Sequence, residues 1–204
     1  MLSEREQQVV DWYDQHAETW AKSRRRVAEP SFWAEEYAQF KQLHRSQGKL
    51  LEIGSGSGRE AIEWLRMGYE YSGIEPSQAL IQIAKQTEPA GAYFHTSVYE
   101  MPFPSNTFDV VSSWAMLPHV PKERMGCALE AILRVLKPQG MGFFAIREWE
   151  GEKQEPQTGR LFSYYSQSEF ESLLVKQGFE ILFKNRKRSR EDLMWLTFFV
   201  KLLK

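Results

Sequence analysis

Gly54, Gly56 and Gly58 stand at two-residue intervals in the stretch KLLEIGSGSGRE, between a short apolar run and an amphipathic one. Glycines at a strand-to-helix turn let the backbone bend tightly and let a ligand approach where side chains would collide, so the spacing reads as a nucleoside pocket. The dinucleotide fingerprint G-x-G-x-x-G would need its third glycine at position 59, where the chain carries Arg59. A phosphate loop would need a Gly-Lys-Ser or Gly-Lys-Thr pair after the glycines, and none follows. With Glu52 adding a carboxylate beside the turn, the better ligand is a nucleoside without phosphate. Glu75, in GIEPS, lies 21 residues beyond Gly54 at the end of the next strand candidate. The carboxyl ends of adjacent parallel strands share a crevice, which places this carboxylate to accept hydrogen bonds from two ribose hydroxyls.

Other reactive residue types are sparse. Cys127 is the single cysteine, so it forms no internal disulfide and no metal-ligand cluster, and no metal is expected. No Cys-His or Ser-His-acid arrangement stands out, which weakens a covalent hydrolase. His119, beside Pro118 and close to Pro121, fits a general base, a pocket contact or a loop organiser.

The elements that must hold these residues alternate. Strand candidates cover 49–53, 70–74, 92–95, 108–112 and 141–146, and helix candidates cover 59–66, 77–86 and the run from Met125 to Leu136, closed by Pro138 and Gly140 as a C-terminal stop. Repeated strand-helix units imply right-handed crossovers and an α/β fold with helices on both faces of a mostly parallel sheet. Segments 179–183 and 193–200 read as an antiparallel hairpin around the charged tract KNRKRSRED. Between the fifth strand and a helix at 168–176, capped by Ser166 or Ser168, residues 149–160 read as a loop long enough for a lid or pocket wall. Ahead of all this, Val9, Trp12, Tyr13, His16 and Trp20 form one helical stripe, and Trp33, Tyr37 and Phe40 a second after Pro30. Residues 1–46 therefore read as a helical cap on a domain spanning 47–204.

Composition sets the frame. The chain has 204 residues, 42% hydrophobic and 26% charged, enough apolar content for a core and too balanced for disorder. At roughly 150 residues per domain this is one domain with additions. A net charge of -1 does not mark a polyanion binder. Local basic runs, Arg24 to Arg26 and Lys184, Arg186, Lys187, Arg188 and Arg190, keep RNA or an acidic protein as a second class of partner, with a solvated hairpin loop as the plainer reading. The first residues lack the features of a secretion signal and no apolar run reaches the length of a membrane span, so a cytoplasmic protein without membrane contact is expected.

The blocks LEIGSGSG, GIEPS, VYEMPFPSNTFDVVSSWAMLPHV and RVLKPQG together resemble the class I S-adenosylmethionine-dependent methyltransferases, over about Leu50 to Ile146. The resemblance implies a Rossmann-like seven-stranded mixed sheet in the order 3-2-1-4-5-7-6 with strand 7 antiparallel. It implies S-adenosylmethionine as cofactor, with Gly54, Gly56 and Gly58 beside its methionine and ribose, Glu52 near the amino group and Glu75 on the ribose hydroxyls. Pro76, Ser77, Val98 and Tyr99 would border the adenine, and Ser97 stands where the family often has aspartate. Trp114 would lie near the methionine end or pack against it. Tyr13, and less closely Trp20, resemble cap residues that close over the donor, with helix packing as the alternative. The NPPY-type signature of nucleobase-amine methyltransferases is absent after strand four. A small-molecule methyl acceptor is the leading expectation, beside RNA or protein acceptors or a noncatalytic S-adenosylmethionine-binding protein, in a monomer or homodimer.

Overall fold

The computed structural model describes residues 1–25, 32–44, 47–189 and 192–203. The side chains of the run Arg24 to Arg26, together with Pro30 and Arg190, lie outside the described residues. Strands β1 (Lys49–Ile53), β2 (Glu70–Glu75), β3 (Ala92–His95), β4 (Phe108–Ser113) and β5 (Leu136–Arg147) pair in parallel. A short antiparallel pair, β6 (Glu152–Gln154) and β7 (Leu161–Ser163), follows, and then the hairpin β8 (Phe179–Arg188) and β9 (Met194–Leu202). The main sheet runs β3-β2-β1-β4-β5-β9-β8, with β9 antiparallel to both neighbours. Among its own seven strands that is the order 3-2-1-4-5-7-6 expected from the family resemblance.

Helices α1 (Glu4–Arg25), α2 (Ala34–Leu43), α3 (Ala61–Arg66), α4 (Gln78–Thr87), α5 (Met125–Val135) and α6 (Gln167–Lys176) surround the sheet. Side chains alternate across a strand, and β5 shows what that does to the core. Phe143 and Ala145 join α2 and α3 through Tyr37, Phe40 and Trp64, whereas Phe144 and Ile146 join α5 and α6 through Leu129, Ile132 and Phe170. Burying each such large apolar side chain contributes about 1.5–3 kcal/mol relative to leaving it in water. The same alternation in β1 sends Leu51 and Ile53 to the α5 side and Leu50 to the α2 side.

Four local expectations change. Gly140 does not stop α5: the helix ends at Val135, and the chain is already paired through Leu136 with Phe108. Gln139, at φ +63°, makes the left-handed bend as the register jumps to Val110 and Met141. A Cβ at Gly140 would stand 2.7 Å from Leu136 Cδ1 and 2.8 Å from the Lys137 carbonyl, so this glycine serves a close approach within a bulge. The tract from Lys184 to Arg188 is not hairpin loop but the outer end of edge strand β8; the turn begins at Ser189. The segment 149–160 carries β6 of the small antiparallel pair. On α1 the buried face is Glu6, Val9, Val10, Ala17 and Ala21, while His16 is exposed and stacks on Trp12 at 4.5 Å. The two alanines let the helix lie close to its neighbours, where larger side chains would hold it off.

No helix among the described residues is long and apolar enough to cross a membrane.

Candidate active site

The turn after β1 is locked from behind by its neighbour strand: the Ile74 carbonyl accepts from Gly54 N–H at 2.9 Å and Ser55 N–H at 3.0 Å. Gly54 has φ +77°, and a Cβ there would collide with the Met116 side chain. Gly56, at φ +52°, turns its N–H onto Glu75 Oε2 at 3.0 Å. Ser77 N–H donates to Glu75 Oε1, also at 3.0 Å. Both carboxylate oxygens are therefore fixed by backbone. Burial pushes the Glu75 carboxyl up to about 7, against these two N–H donors and with a small upward contribution from Asp14.

Gly54, Gly56, Glu75, Pro76, Ser97, Val98 and Tyr99 line one cavity of about 130 Å³, which α1 closes with Val9, Val10, Tyr13 and Trp20. Two residues expected here are elsewhere. Gly58 lines neither this cavity nor the larger one and is packed against α4, where a Cβ would stand 3.0 Å from Ala84 Cα. Ser77 is fully buried as the N-cap of α4, accepting from Leu80 N–H at 3.2 Å and donating to Asp14 Oδ1 at 2.6 Å.

A second cavity, about 680 Å³, shares the walls Tyr13, Trp20, Gly54, Gly56, Ala115 and His119 with the first. Glu52 and Trp114 line this larger space. Glu52 accepts from the Tyr71 hydroxyl, and burial, then the nearby Glu60, hold its carboxyl well above the usual range. Trp114 is packed among Phe143, Tyr37 and Trp33 with ring centroids 4.2, 4.6 and 5.2 Å away, so it belongs to the core while forming a wall.

Tyr13 and His119 meet between the cavities, with the Tyr13 hydroxyl 3.0 Å from His119 Nε2. The other ring nitrogen, Nδ1, is 2.7 Å from the Leu161 carbonyl. A carbonyl only accepts, so Nδ1 carries the proton and Nε2 accepts from Tyr13. Burial, reinforced by the positive charges of Arg147 and Arg160, pushes the imidazole down to about 3 against the carbonyl hydrogen bond, leaving it neutral at ordinary pH.

Several wall and support residues carried no signal in the sequence reading. Asp14 bridges α1 to α4 by accepting from Ser77 Oγ and from Ala79 N–H at 2.9 Å. Arg147, Arg160, Phe162 and Trp195 join the larger cavity from β5, the β6–β7 segment and β9. Arg147 had one available clue, its place at the carboxyl end of a parallel strand, where α/β folds bind ligands.

A family described as a methyltransferase domain matches residues 51–144, which run from β1 into β5. An uncharacterized methyltransferase of Mycobacterium sp. strain KMS is 31% identical over 111 residues, covering 54% of this chain and 43% of that protein. An uncharacterized methyltransferase of Oceanobacillus iheyensis is 28% identical over 146 residues, covering 72% and 63%. The chain thus spans less than two thirds of the length of these curated relatives. Over its whole length it superposes with TM-score 0.79 on the 1,6-didemethyltoxoflavin-N1-methyltransferase of Burkholderia thailandensis, solved with its substrate and S-adenosylhomocysteine, at 18% identity and 92% of that chain. Residues 51–144 are thus similar to a methyltransferase domain, on the fold that the chain shares with S-adenosylmethionine-dependent methyltransferases. In this chain the glycine turn, Glu75 and the 97–99 turn converge on one crevice at the carboxyl ends of β1, β2 and β3, while α1 covers it.

Proposed function

We propose that the protein transfers a methyl group from S-adenosylmethionine to a small-molecule acceptor. The observation that carries this reading is Glu75, held at both oxygens by backbone N–H groups on the wall of a cavity floored by the glycine turn. A carboxylate so fixed retains lone pairs for two ribose hydroxyls and needs no rearrangement to use them. Pro76, Ser97, Val98 and Tyr99 would border the adenine, Ser97 contributing a neutral hydroxyl. Glu52, Gly54, Gly56 and Trp114 would surround the methionine end, which reaches toward the larger cavity. Gly58 and Ser77 would support the pocket from behind.

The cofactor's sulfonium supplies an activated methyl: its carbon–sulfur bond breaks as the acceptor's lone pair forms the new bond, and sulfur keeps the released electron pair. The chain's task is alignment and exclusion of water, and well-oriented intramolecular systems gain about 7–11 kcal/mol from alignment alone. Tyr13 and His119 would serve as the partition between donor and acceptor. An imidazole held near 3 takes up a proton weakly, which favours pocket contact over general-base work for His119. A proton lost by the acceptor would pass to water.

Isothermal calorimetry with S-adenosylmethionine, S-adenosylhomocysteine, ATP and nicotinamide dinucleotide tests the reading. Binding of the first two alone is expected, and Glu75→Ala should weaken it by about 1.5–3 kcal/mol, the worth of charge-assisted hydrogen bonds. Unchanged affinity in that variant would remove Glu75 from the site.

A further inference from the structure

The larger cavity contains a cation whose charge the fold does not answer. Of the positive side chains on its walls, Arg59 is paired with Glu60, Arg160 with Glu155 at 3.0 Å, Lys187 with Glu36 at 2.7 Å and Arg188 with Asp192 at 2.7 Å. Arg147 pairs with no carboxylate among the described residues, and its Nε is buried without a hydrogen-bond partner. Its polar neighbour is the Tyr164 hydroxyl, and Arg160 adds repulsion. Arg147 is half-buried, and an Nε buried without a partner on a positive group is costly unless an anion meets the group. Trp114 Nε1, on another wall of the same cavity, is a second buried donor without a partner.

The rings around Arg147 define what accompanies the anion. Its guanidinium carbon lies 4.0 Å from the Phe162 centroid and 5.6 Å from that of Trp195, within cation–π range of both rings. Trp33 and Trp114 continue the aromatic lining. Flat apolar walls bind flat rings by offset and edge contacts. Among the described wall residues one positive charge is left over and Glu35 also faces the space, so a monoanion matches it where a phosphate dianion would carry an unanswered charge.

We infer that the larger cavity is a subsite for an aromatic carboxylic acid, with Arg147 receiving the carboxylate and Phe162, Trp195 and Trp33 enclosing the ring. Resting on the methyltransferase reading, this names the class of methyl acceptor: an aromatic acid whose carboxylate is the handle.

The test uses the full chain, with and without saturating S-adenosylhomocysteine, and calorimetry with benzoate, 2-naphthoate and indole-3-carboxylate, each beside its carboxamide, and with phenyl phosphate. At least one acid is expected to bind at least about tenfold more tightly than its amide, as expected for an ionised partner of arginine. Arg147→Gln should bring acid and amide to within about twofold, Arg147→Lys should restore part of the preference, and S-adenosylhomocysteine affinity in both variants, unchanged within about twofold, reports an intact fold. Binding by none of the acids, equal binding of acid and amide, a preference that survives Arg147→Gln, or tighter binding of phenyl phosphate would each overturn the subsite. An Arg147-dependent preference for acids in a chain that does not bind S-adenosylhomocysteine would support the subsite and overturn the methyltransferase reading, which keeps the two failures apart.

Discussion

Glu75 and His119 are displaced from their ordinary titration in opposite directions, and their consequences separate by pH. Glu75 titrates at about 7 in the folded chain, above its usual 4.5, so between those values the folded protein holds a proton that the unfolded one has released. For this group, stability falls as pH rises from about 4.5 to about 7 and is level above. Ribose hydroxyls favour the ionised form, so binding runs the other way: S-adenosylhomocysteine should bind about tenfold more tightly at pH 8 than at pH 6, following the ionised fraction, and Glu75→Gln should flatten the profile. Titrations at the two pH values read this directly. His119, lowered from 6.5 to about 3, has the reverse sign, its contribution present above 6.5 and lost as pH falls toward 3. In urea unfolding at pH 5 and pH 7, His119→Gln should leave the Glu75 slope uncovered, with the variant relatively more stable at pH 5 than the parent is.

Helix α1 is tied to the sheet domain by polar contacts that a hydropathy pattern does not display. Asp14 satisfies the N-terminus of α4 through Ala79 N–H and holds the capping Ser77, whose own N–H orients Glu75. Asp14→Ala should cost about 1–2 kcal/mol, as cap losses do, and lower Tm by about 2–4 °C per kcal/mol in a chain of this size, measurable by calorimetric melting. The strand-helix alternation was readable in the sequence because each period buries one face: 49–53, 92–95 and the helix from Met125 are where the pattern puts them. Gly140 misled because a glycine after a helix and a glycine in a bulge look alike in one dimension. The outer half of β8 escaped notice because an edge strand exposed to water needs no apolar alternation, and lysine and arginine there discourage pairing with another chain. The site divides along the same line. Gly54, Gly56 and Glu75 sit on two adjacent strand ends and announce themselves by spacing, whereas Asp14, Arg147 and Phe162 come together only through tertiary packing.

On the scale of the whole molecule, the charge along β8 is neutralised by acids from other elements and from its own turn. The basic residues of β8 that suggested a polyanion surface are engaged: Lys184 with Glu171 at 2.7 Å, Arg186 with Glu148 at 2.6 Å, Lys187 with Glu36 and Arg188 with Asp192. RNA would have to displace these acids before its phosphates gained the cations, so affinity for single-stranded RNA should be weak and vary little between 50 and 200 mM salt, in place of the roughly thousandfold loss expected for six or more phosphate contacts. Filter binding across that range decides the matter, a steep slope restoring RNA as a partner. The Tyr13–His119 partition has a molecular consequence as well. Because these rings border both chambers, whatever energetic preference one guest imposes on them is felt by the other, and equilibrium thermodynamics makes the influence mutual. If an aromatic acid tightens the nucleoside's grip by some factor, the nucleoside must tighten the acid's by that same factor, whichever enters first.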